Sequence, residues 1–236
     1  MGLRIMRLAV LFTGGKDSLY SLHLAKKAGH EIICLLSMKP EKDSFLFHTP
    51  NMDATKIQSS VMNIPLVLVS SSGEKKGDYQ SLQKALRHLK EKTNIEGIVT
   101  GAVFSTYQST RIQKIAHSLG LFCFNPLWQT NPKSHWLELI LNGFEVMLVS
   151  VSAGGLDERW LGKIISEENI HELFALEKKF GVSPIGEGGE FETFVLDSPL
   201  FEKKIIVTHF HDAWKGLQGI REIKRVKRVK KVLGNE

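Results

Sequence analysis

A short glycine-rich stretch near the start of the chain concentrates residue types that bind phosphate. Residues 9–27 read AVLFTGGKDSLYSLHLAKK, so two glycines follow an apolar run. Gly14 and Gly15 permit positive φ and let backbone N–H groups converge on an anion at the N-terminus of the next helix, where the helix dipole favours negative charge. Hydroxyl and ammonium donors flank the glycines, at Thr13, Lys16 and Ser18. The stretch therefore predicts a phosphate-binding turn.

Asp17 is the unexpected residue of this turn, because phosphates repel a neighbouring carboxylate. A divalent cation between them removes the repulsion, so Asp17 is a candidate magnesium ligand. The alternative is that Asp17 caps the helix and the glycines form a plain tight turn. Spacing excludes two other nucleotide motifs, since the stretch has neither the earlier glycine of a Walker A loop nor the G-x-G-x-x-G pattern.

A second polar stretch, GAVFSTYQSTR at residues 101–111, follows an apolar run of strand length. In a doubly wound sheet it can lie at the same carboxyl edge as the glycine turn. Gly101 would allow close backbone approach, and four side chains are candidates to face one ligand: Ser105, Tyr107, Gln108 and Arg111. The alternative is a helix start with a solvated arginine.

A third stretch, GEGGEFET at residues 186–193, carries three glutamates beside glycines. Glu187, Glu190 and Glu192 would repel one another unless they met a cation or a donor-rich substrate. A solvated acidic loop is the alternative.

The elements that must position these stretches follow from the apolar pattern. Apolar runs predict strands at 7–12, 31–37, 65–70, 95–101 and 121–124, and helical periodicity predicts helices at 17–29, 52–63, 78–92 and 107–119. Near-continuous apolar strands linked by helices are typical of a parallel sheet covered on both faces. The predicted fold is an α/β domain with a doubly wound, five-stranded parallel sheet.

The regular alternation decays after Asn125, which predicts a second, smaller α+β domain. Its elements are a strand within 143–155, a helix within 167–181 and strands from Phe191 onward. We place the boundary between a nucleotide-binding domain at 1–127 and a second domain at 128–236, which ends in a basic tail. Residues 221–231 hold seven lysines and arginines against one glutamate. We interpret that run as a solvated tail or helix face, with contact to RNA or an acidic partner as the alternative.

Composition bounds the class of protein. The chain has 236 residues, of which 42% are hydrophobic and 24% charged, enough to bury a sizeable core. No apolar run reaches the roughly 20 residues of a membrane helix, and no signal-peptide pattern is present, so we expect a cytoplasmic protein without membrane contact. Cys34 and Cys123 lie in apolar runs without a C-x-x-C motif, which argues against a zinc or iron–sulfur site.

Together the motifs closely resemble the diphthine–ammonia ligase family of the N-type ATP pyrophosphatases. TGGKDS is similar to their S-G-G-x-D-S pyrophosphate loop, with Thr13 in place of serine. The other family motifs correspond to Gly101–Arg111, Pro126–Trp128, Gly155–Gly162 and Glu187–Thr193. The resemblance spans about residues 7–208 and implies a PP-loop domain of the HUP-like class followed by a family-specific domain. The short chain suits an archaeal member.

The resemblance implies a reaction and a set of site residues. The reaction is amidation of the diphthine carboxylate on elongation factor 2 by ammonium, with ATP cleaved to AMP and pyrophosphate through an acyl adenylate. Implied ATP and pyrophosphate ligands are Thr13, Gly14, Gly15, Lys16, Asp17, Ser18 and Gly101, with Mg²⁺ at Asp17. Implied catalytic residues are Lys16, Asp17 and Arg111. Implied substrate ligands are Ser105, Tyr107, Gln108, Trp128, Glu187, Glu190 and Glu192, the last four as aromatic wall and counter-charges for the trimethylammonio group.

Two other functions stay open at this point. One is adenylation of a different carboxylate or of an RNA base, and the other is a non-catalytic ATP or AMP sensor. The sequence also leaves open a homo-oligomeric state, nucleic-acid contact by the basic tail, and a role for His48 in the loop after the second strand.

Overall fold

The computed structural model describes residues 4–40, 52–71 and 75–231. The chain divides into two compact units, one of Met1–Thr13 with Asp17–Gln129 and one of Gly14–Lys16 with Thr130–Glu236. The sequence did not predict that three residues of the glycine turn would group with the second unit. His48 lies outside the described residues.

The first unit is built on a parallel sheet with strand order β3-β2-β1-β4-β5. Its strands are β1 (Arg7–Leu11), β2 (Glu31–Pro40), β3 (Leu66–Ser71), β4 (Gly97–Val99) and β5 (Phe122–Phe124). Its helices are α1 (Lys16–Lys27, beginning in the turn), α2 (Met52–Met62), α3 (Lys75–Thr93) and α4 (Thr106–Ser118). The predicted doubly wound, five-stranded α/β fold is confirmed.

Burial on both faces explains why the central strands are apolar throughout. Leu8 and Val10 of β1 are fully buried. Leu86 of α3 and Ala116 of α4 belong to one buried cluster with Ile98 of β4. The strand order reverses at β1, which lies between β2 and β4. The carboxyl end of β1 is therefore the topological switch point, where ligands bind in sheets of this kind.

The second unit contains an antiparallel sheet in the order β7-β6-β10-β9, with β8 also paired to β6. Its strands are β6 (Glu145–Val151), β7 (Ile164–Ile165), β8 (Phe191–Asp197), β9 (Lys203–Lys215) and β10 (Gln218–Lys230). Its helices are α5 (Pro132–Leu141) and α6 (Ile170–Phe180). The mixed content agrees with the predicted α+β class, although α5 and β7 were not predicted. Across the part of the chain that is described, no helix is long and apolar enough to cross a membrane.

The basic run at 221–231 is a β-strand, so its interpretation as a tail or helix face is wrong. It forms most of β10, which pairs with β9 along its length to give a two-stranded ribbon. Its apolar residues recur at every third position: Ile220, Ile223, Val226 and Val229. That spacing matches neither a helix nor a regular strand, and two register shifts on either side of Arg225 accommodate it.

Candidate active site

The glycine turn forms between β1 and α1, at the switch point of the sheet. Gly14 has a φ of +81°, a conformation that favours glycine. Within the first unit, the Thr13 N–H donates to the Ser18 hydroxyl at 3.3 Å, and the two hydroxyl oxygens lie 3.2 Å apart. The two predicted hydroxyl donors therefore meet across the turn.

Gly101 lies directly against the start of α1. A Cβ at Gly101 would be 2.8 Å from the Asp17 carbonyl carbon and the Ser18 nitrogen, and 2.9 Å from the Asp17 carbonyl oxygen. Backbone atoms cannot yield to such a contact as the end of a flexible side chain can. Two motifs that are more than 80 residues apart in the sequence are thus brought together at one sheet edge, and only glycine fits there.

The Lys16 side chain is buried, at 2% exposure, in the second unit. Its ammonium donates to the Ile185 carbonyl at 2.6 Å and lies 5.6 Å and 5.7 Å from the ring centroids of Trp136 and Phe191. The sequence predicts a cation that grips phosphate. In the structure this ammonium contacts a carbonyl and two aromatic faces, which anchors the turn, and its contact with phosphate stays a prediction.

Strand β8 holds the backbone of the same turn. The Lys16 N–H donates to the Thr193 hydroxyl at 3.1 Å, and the Val195 N–H donates to the Gly14 carbonyl at 3.4 Å. Thr193 is the last residue of the GEGGEFET stretch, so that stretch contacts Gly14–Lys16 inside the second unit. Sequence reasoning missed this contact between segments almost 180 residues apart.

The three predicted glutamates differ in environment. One Glu190 carboxylate oxygen accepts from the Ser183 N–H at 3.2 Å, while the other is buried without a hydrogen-bond partner among the described residues. The Glu190 carbonyl accepts from the Ser152 N–H at 2.7 Å, which fixes the residue at the start of β8. Glu187 is half-buried. Glu192 is solvent-exposed, yet the surrounding protein raises the pKa of its carboxyl by desolvation. This acceptor without a partner makes Glu190 a candidate to bind a hydrogen-bond donor or a cation.

The side chains around Asp17 determine whether a magnesium ion fits beside the turn. Within residues 4–40, 52–71 and 75–231, no group of three or more histidine, cysteine, aspartate or glutamate side chains could hold a metal ion. Asp17 is therefore not part of a cluster of three or more such side chains. Mg²⁺ that arrives on nucleotide phosphates takes only one or two protein carboxylates. The residues fit a cation carried by ATP.

Helix α4 carries the residues of the second motif. The Ser105 hydroxyl caps the helix by accepting from the Gln108 N–H at 3.3 Å. The Arg111 guanidinium carbon lies 3.9 Å from the Tyr107 ring centroid and 5.0 Å from that of Tyr79 on α3. The spacing of Tyr79 to Leu82 and Leu86 puts it on the apolar face of α3, and its side chain contacts the predicted arginine.

The chain turns sharply after β5, at the PLW motif. The Trp128 N–H donates to the Asn125 carbonyl at 3.3 Å, and the Gln129 N–H donates to the Val103 carbonyl at 2.8 Å. Both polar atoms of the Asn125 side-chain amide are buried without a hydrogen-bond partner among the described residues. Asn125 lies at the carboxyl end of β5, so this amide is a candidate ligand-binding group that sequence reasoning missed. Trp128 belongs to the first unit and the three glutamates to the second.

Comparison with known families matches both halves of the chain. The model of the diphthamide synthase N-terminal domain matches residues 6–123, and that of the diphthamide synthase C-terminal domain matches residues 131–229. This chain belongs to the diphthamide synthase family. The resemblance inferred from the motifs is therefore confirmed.

Relatives in this family align over most of the chain. The diphthine–ammonia ligase of Homo sapiens is 37% identical over 86% of this chain and 83% of its own length. The diphthine–ammonia ligase of Bos taurus is 36% identical over 89% of this chain and 88% of its own length. That of Saccharomyces cerevisiae is 32% identical over 84% of this chain and 34% of its own. Among solved structures, the U34-tRNA thiolase NcsA from Methanococcus maripaludis matches with a TM-score of 0.41 and 14% sequence identity. The match covers 78% of this chain and 70% of the thiolase chain, and it is too distant to inform function.

Proposed function

We propose that this protein is an ATP-dependent ligase that amidates diphthine on elongation factor 2, a protein of the cytoplasmic translation machinery, with ammonium as the nitrogen donor. The observation that carries the proposal is the match to both diphthamide synthase domains over most of the chain. Diphthine–ammonia ligases that align over more than four fifths of their own length support it further.

The reaction must first activate a poor acceptor. Ammonia cannot displace oxide from a carboxylate, so a diphthine carboxylate oxygen attacks the α-phosphorus of ATP and pyrophosphate leaves with the electrons of the broken P–O bond. Ammonia, formed when ammonium loses a proton, attacks the acyl carbon of this adenylate. AMP then leaves with the electrons of the acyl C–O bond, and the nitrogen loses a second proton to give the amide.

In this proposal the glycine turn receives the pyrophosphate end of ATP. The N–H groups of Gly14 and Gly15, the hydroxyls of Thr13 and Ser18 and the dipole of α1 favour the departing charge. Lys16 acts by anchoring the turn through Ile185, and Gly101 lets the backbone approach closely. Asp17 would hold a Mg²⁺ ion, which would neutralise phosphate charge there.

The acceptor side uses the other two motifs. Tyr107, Gln108 and Arg111 of α4 bind the diphthine carboxylate or its adenylate, with Ser105 capping the helix that presents them. The trimethylammonio group or ammonium binds the glutamates of GEGGEFET, and Trp128 stays a predicted aromatic contact of the substrate. The buried Glu190 oxygen without a partner supports a cation-binding role for that residue. Glu190→Gln should therefore slow amidation and raise the KM of the cationic substrate, whereas an unchanged rate would contradict the assignment.

A single incubation tests the function. The protein is mixed with diphthine-bearing elongation factor 2, ATP, Mg²⁺ and ammonium, and both AMP and the mass of the factor are followed. Amide formation with stoichiometric AMP supports the proposal. AMP release with another carboxylate or an RNA, and none with diphthine, would favour a different acceptor. ATP binding without pyrophosphate release under any of these conditions would indicate a nucleotide sensor.

The β9–β10 ribbon adds a proposal on partner binding. Arg225, Lys227 and Lys230 are exposed, and no carboxylate of the described residues forms an ion pair with them. We infer that this surface contributes to binding of an acidic face of elongation factor 2 in a salt-dependent manner. Binding of RNA by the same cations is the second candidate, and competition by RNA at low salt would favour it.

A further inference from the structure

The first unit contains a cleft of about 580 Å³ between α3 and α4. Tyr79 and Gln83 of α3 line it, together with Tyr107, Arg111 and Lys114 of α4. The Gln83 side-chain amide donates to the Ser118 hydroxyl at 3.1 Å and so ties the two helices together beyond the cleft. A cavity of this size lies within the range of small-molecule binding sites.

Two tyrosine rings hold the Arg111 guanidinium in this cleft. The rings of Tyr79 and Tyr107 stand edge to face, with centroids 6.5 Å apart, and both contact the guanidinium. The two aromatic contacts leave the charge of the guanidinium uncompensated, so Arg111 is suited to bind an oxyanion.

The charge of the cleft points to the same class of ligand. Arg111 and Lys114 lie three residues apart on one helix, an arrangement in which like charges repel. No carboxylate lines the cleft, and neither cation has an ion pair with any acid in the described part of the chain. An oxyanion bound between them would relieve this repulsion.

Tyr79 is a neutral neighbour of these cations. Burial raises the pKa of the Tyr79 phenol, and nearby Tyr107 raises it further, while Arg111 acts in the opposite direction. The phenol therefore stays protonated near neutral pH and orients the guanidinium without neutralising it.

We propose that this cleft recognises the carboxylate of the acceptor, with Arg111 and Lys114 as its ligands and Tyr79 as the positioning residue that holds Arg111. The inference rests on the proposed function and names the part of its site that selects an oxyanion. An ATP phosphate is the other source of such a group, and the experiment separates the two.

Steady-state kinetics test the positioning role. Tyr79→Leu removes the ring that contacts Arg111, and should raise the KM of diphthine-bearing factor by about tenfold with the KM of ATP unchanged. Tyr79→Phe keeps the ring and should leave the same KM within about twofold of the wild type. Lys114→Gln should raise the same KM, whereas Lys84→Gln, an exposed charge of α3 outside the cleft, should not. A rise confined to the KM of ATP would assign the cleft to phosphate, and unchanged constants in Tyr79→Leu would overturn the inference.

A second measurement does not depend on turnover. Glycine betaine carries a trimethylammonio group and a carboxylate, and choline carries only the first. Titrated into ¹⁵N-labelled protein, glycine betaine should shift the Arg111 side-chain N–H resonance, choline should not, and Tyr79→Leu should reduce the shift. Equal responses to both compounds, or none to either, would contradict carboxylate recognition. Wild-type protein that forms no amide would instead contradict the proposed function, so the two failures are distinguishable.

Discussion

Gly101→Ala is the sharpest perturbation that the structure offers, because it adds one methyl group where backbone occupies the space. The new Cβ would lie 2.8 Å from the Asp17 carbonyl carbon and the Ser18 nitrogen, so α1 must shift at its first turn. Overpacking of this kind costs about 1–3 kcal/mol of unfolding free energy. The same shift moves the N–H groups and hydroxyls of the glycine turn. A loss of about 1.4 kcal/mol in binding free energy lowers the affinity tenfold. We therefore expect ATP affinity to fall by at least about tenfold.

The matched control is Gly154→Ala, because a Cβ there meets nothing within 4 Å and its backbone is not in the left-handed region. Urea unfolding gives the stability of both variants, and calorimetric titration with ATP gives the affinity. Gly154→Ala should resemble the wild type in both measurements. If Gly101→Ala also had the unfolding free energy and the ATP affinity of the wild type, the close approach of Gly101 to α1 would not govern the nucleotide site.

Three further predictions follow from particular side chains. Asn125→Ala should weaken the binding of ATP or of the acceptor without lowering the urea midpoint, because the buried amide has no hydrogen-bond partner among the described residues. A lower urea midpoint with unchanged binding would contradict a ligand-facing role of Asn125. Glu192→Gln should raise stability at pH values above the raised pKa of the Glu192 carboxyl, where the folded state bears the cost of a desolvated charge. The gain should disappear as the pH falls from that pKa to below the ordinary carboxyl range, and urea midpoints across pH that show no such convergence would contradict it. Replacing Arg225, Lys227 and Lys230 by glutamine should weaken binding of the factor at low salt, and this effect should disappear at high salt. Replacing Lys84, Lys92 and Lys178 by glutamine should leave binding unchanged, and equal effects of both triple variants would refute a specific role of the ribbon.

The order of the elements in the first unit could be predicted, with bounds within about three residues, because its local signals agree. The central strands are apolar runs buried on both faces, and each helix between strands repeats its apolar residues at helical spacing. The helix predicted at 52–63, for example, is observed as Met52–Met62. In the second unit the sheet is antiparallel and partly exposed, so its strands carry weaker patterns.

Helix α5 was missed although the sequence carries its start signal. Asn131 caps the helix by accepting from the N–H groups of Lys133 and Ser134, and Pro132 occupies the first turn. An asparagine followed by proline also starts many loops, so the local signal was ambiguous. Strand β10 was missed for a different reason, since its three-residue apolar repeat becomes extended only by pairing with β9 through register shifts.

The candidate site was predicted in its motifs but not in the roles of all its members. Tyr79 looks like a core residue of α3 because its spacing matches Leu82 and Leu86, and its contact with Arg111 depends on how α3 and α4 pack. Lys16 lies in a motif that binds phosphate, yet its ammonium is directed to the Ile185 carbonyl. Such assignments depend on contacts between distant segments, which no local pattern encodes.

The contact between β8 and the glycine turn bears most directly on the mechanism. Thr193 binds the Lys16 N–H, and Glu190 is three residues earlier on the same segment, so at most about 11 Å of chain separates the two. The segment proposed to receive a cation is therefore physically continuous with the one that anchors the pyrophosphate turn. A substitution at Thr193 that breaks the hydrogen bond should disturb both halves of the reaction, whereas Glu190→Gln should disturb only the acceptor half. The ratio of pyrophosphate release to amide formation in the two variants would separate anchoring from cation binding.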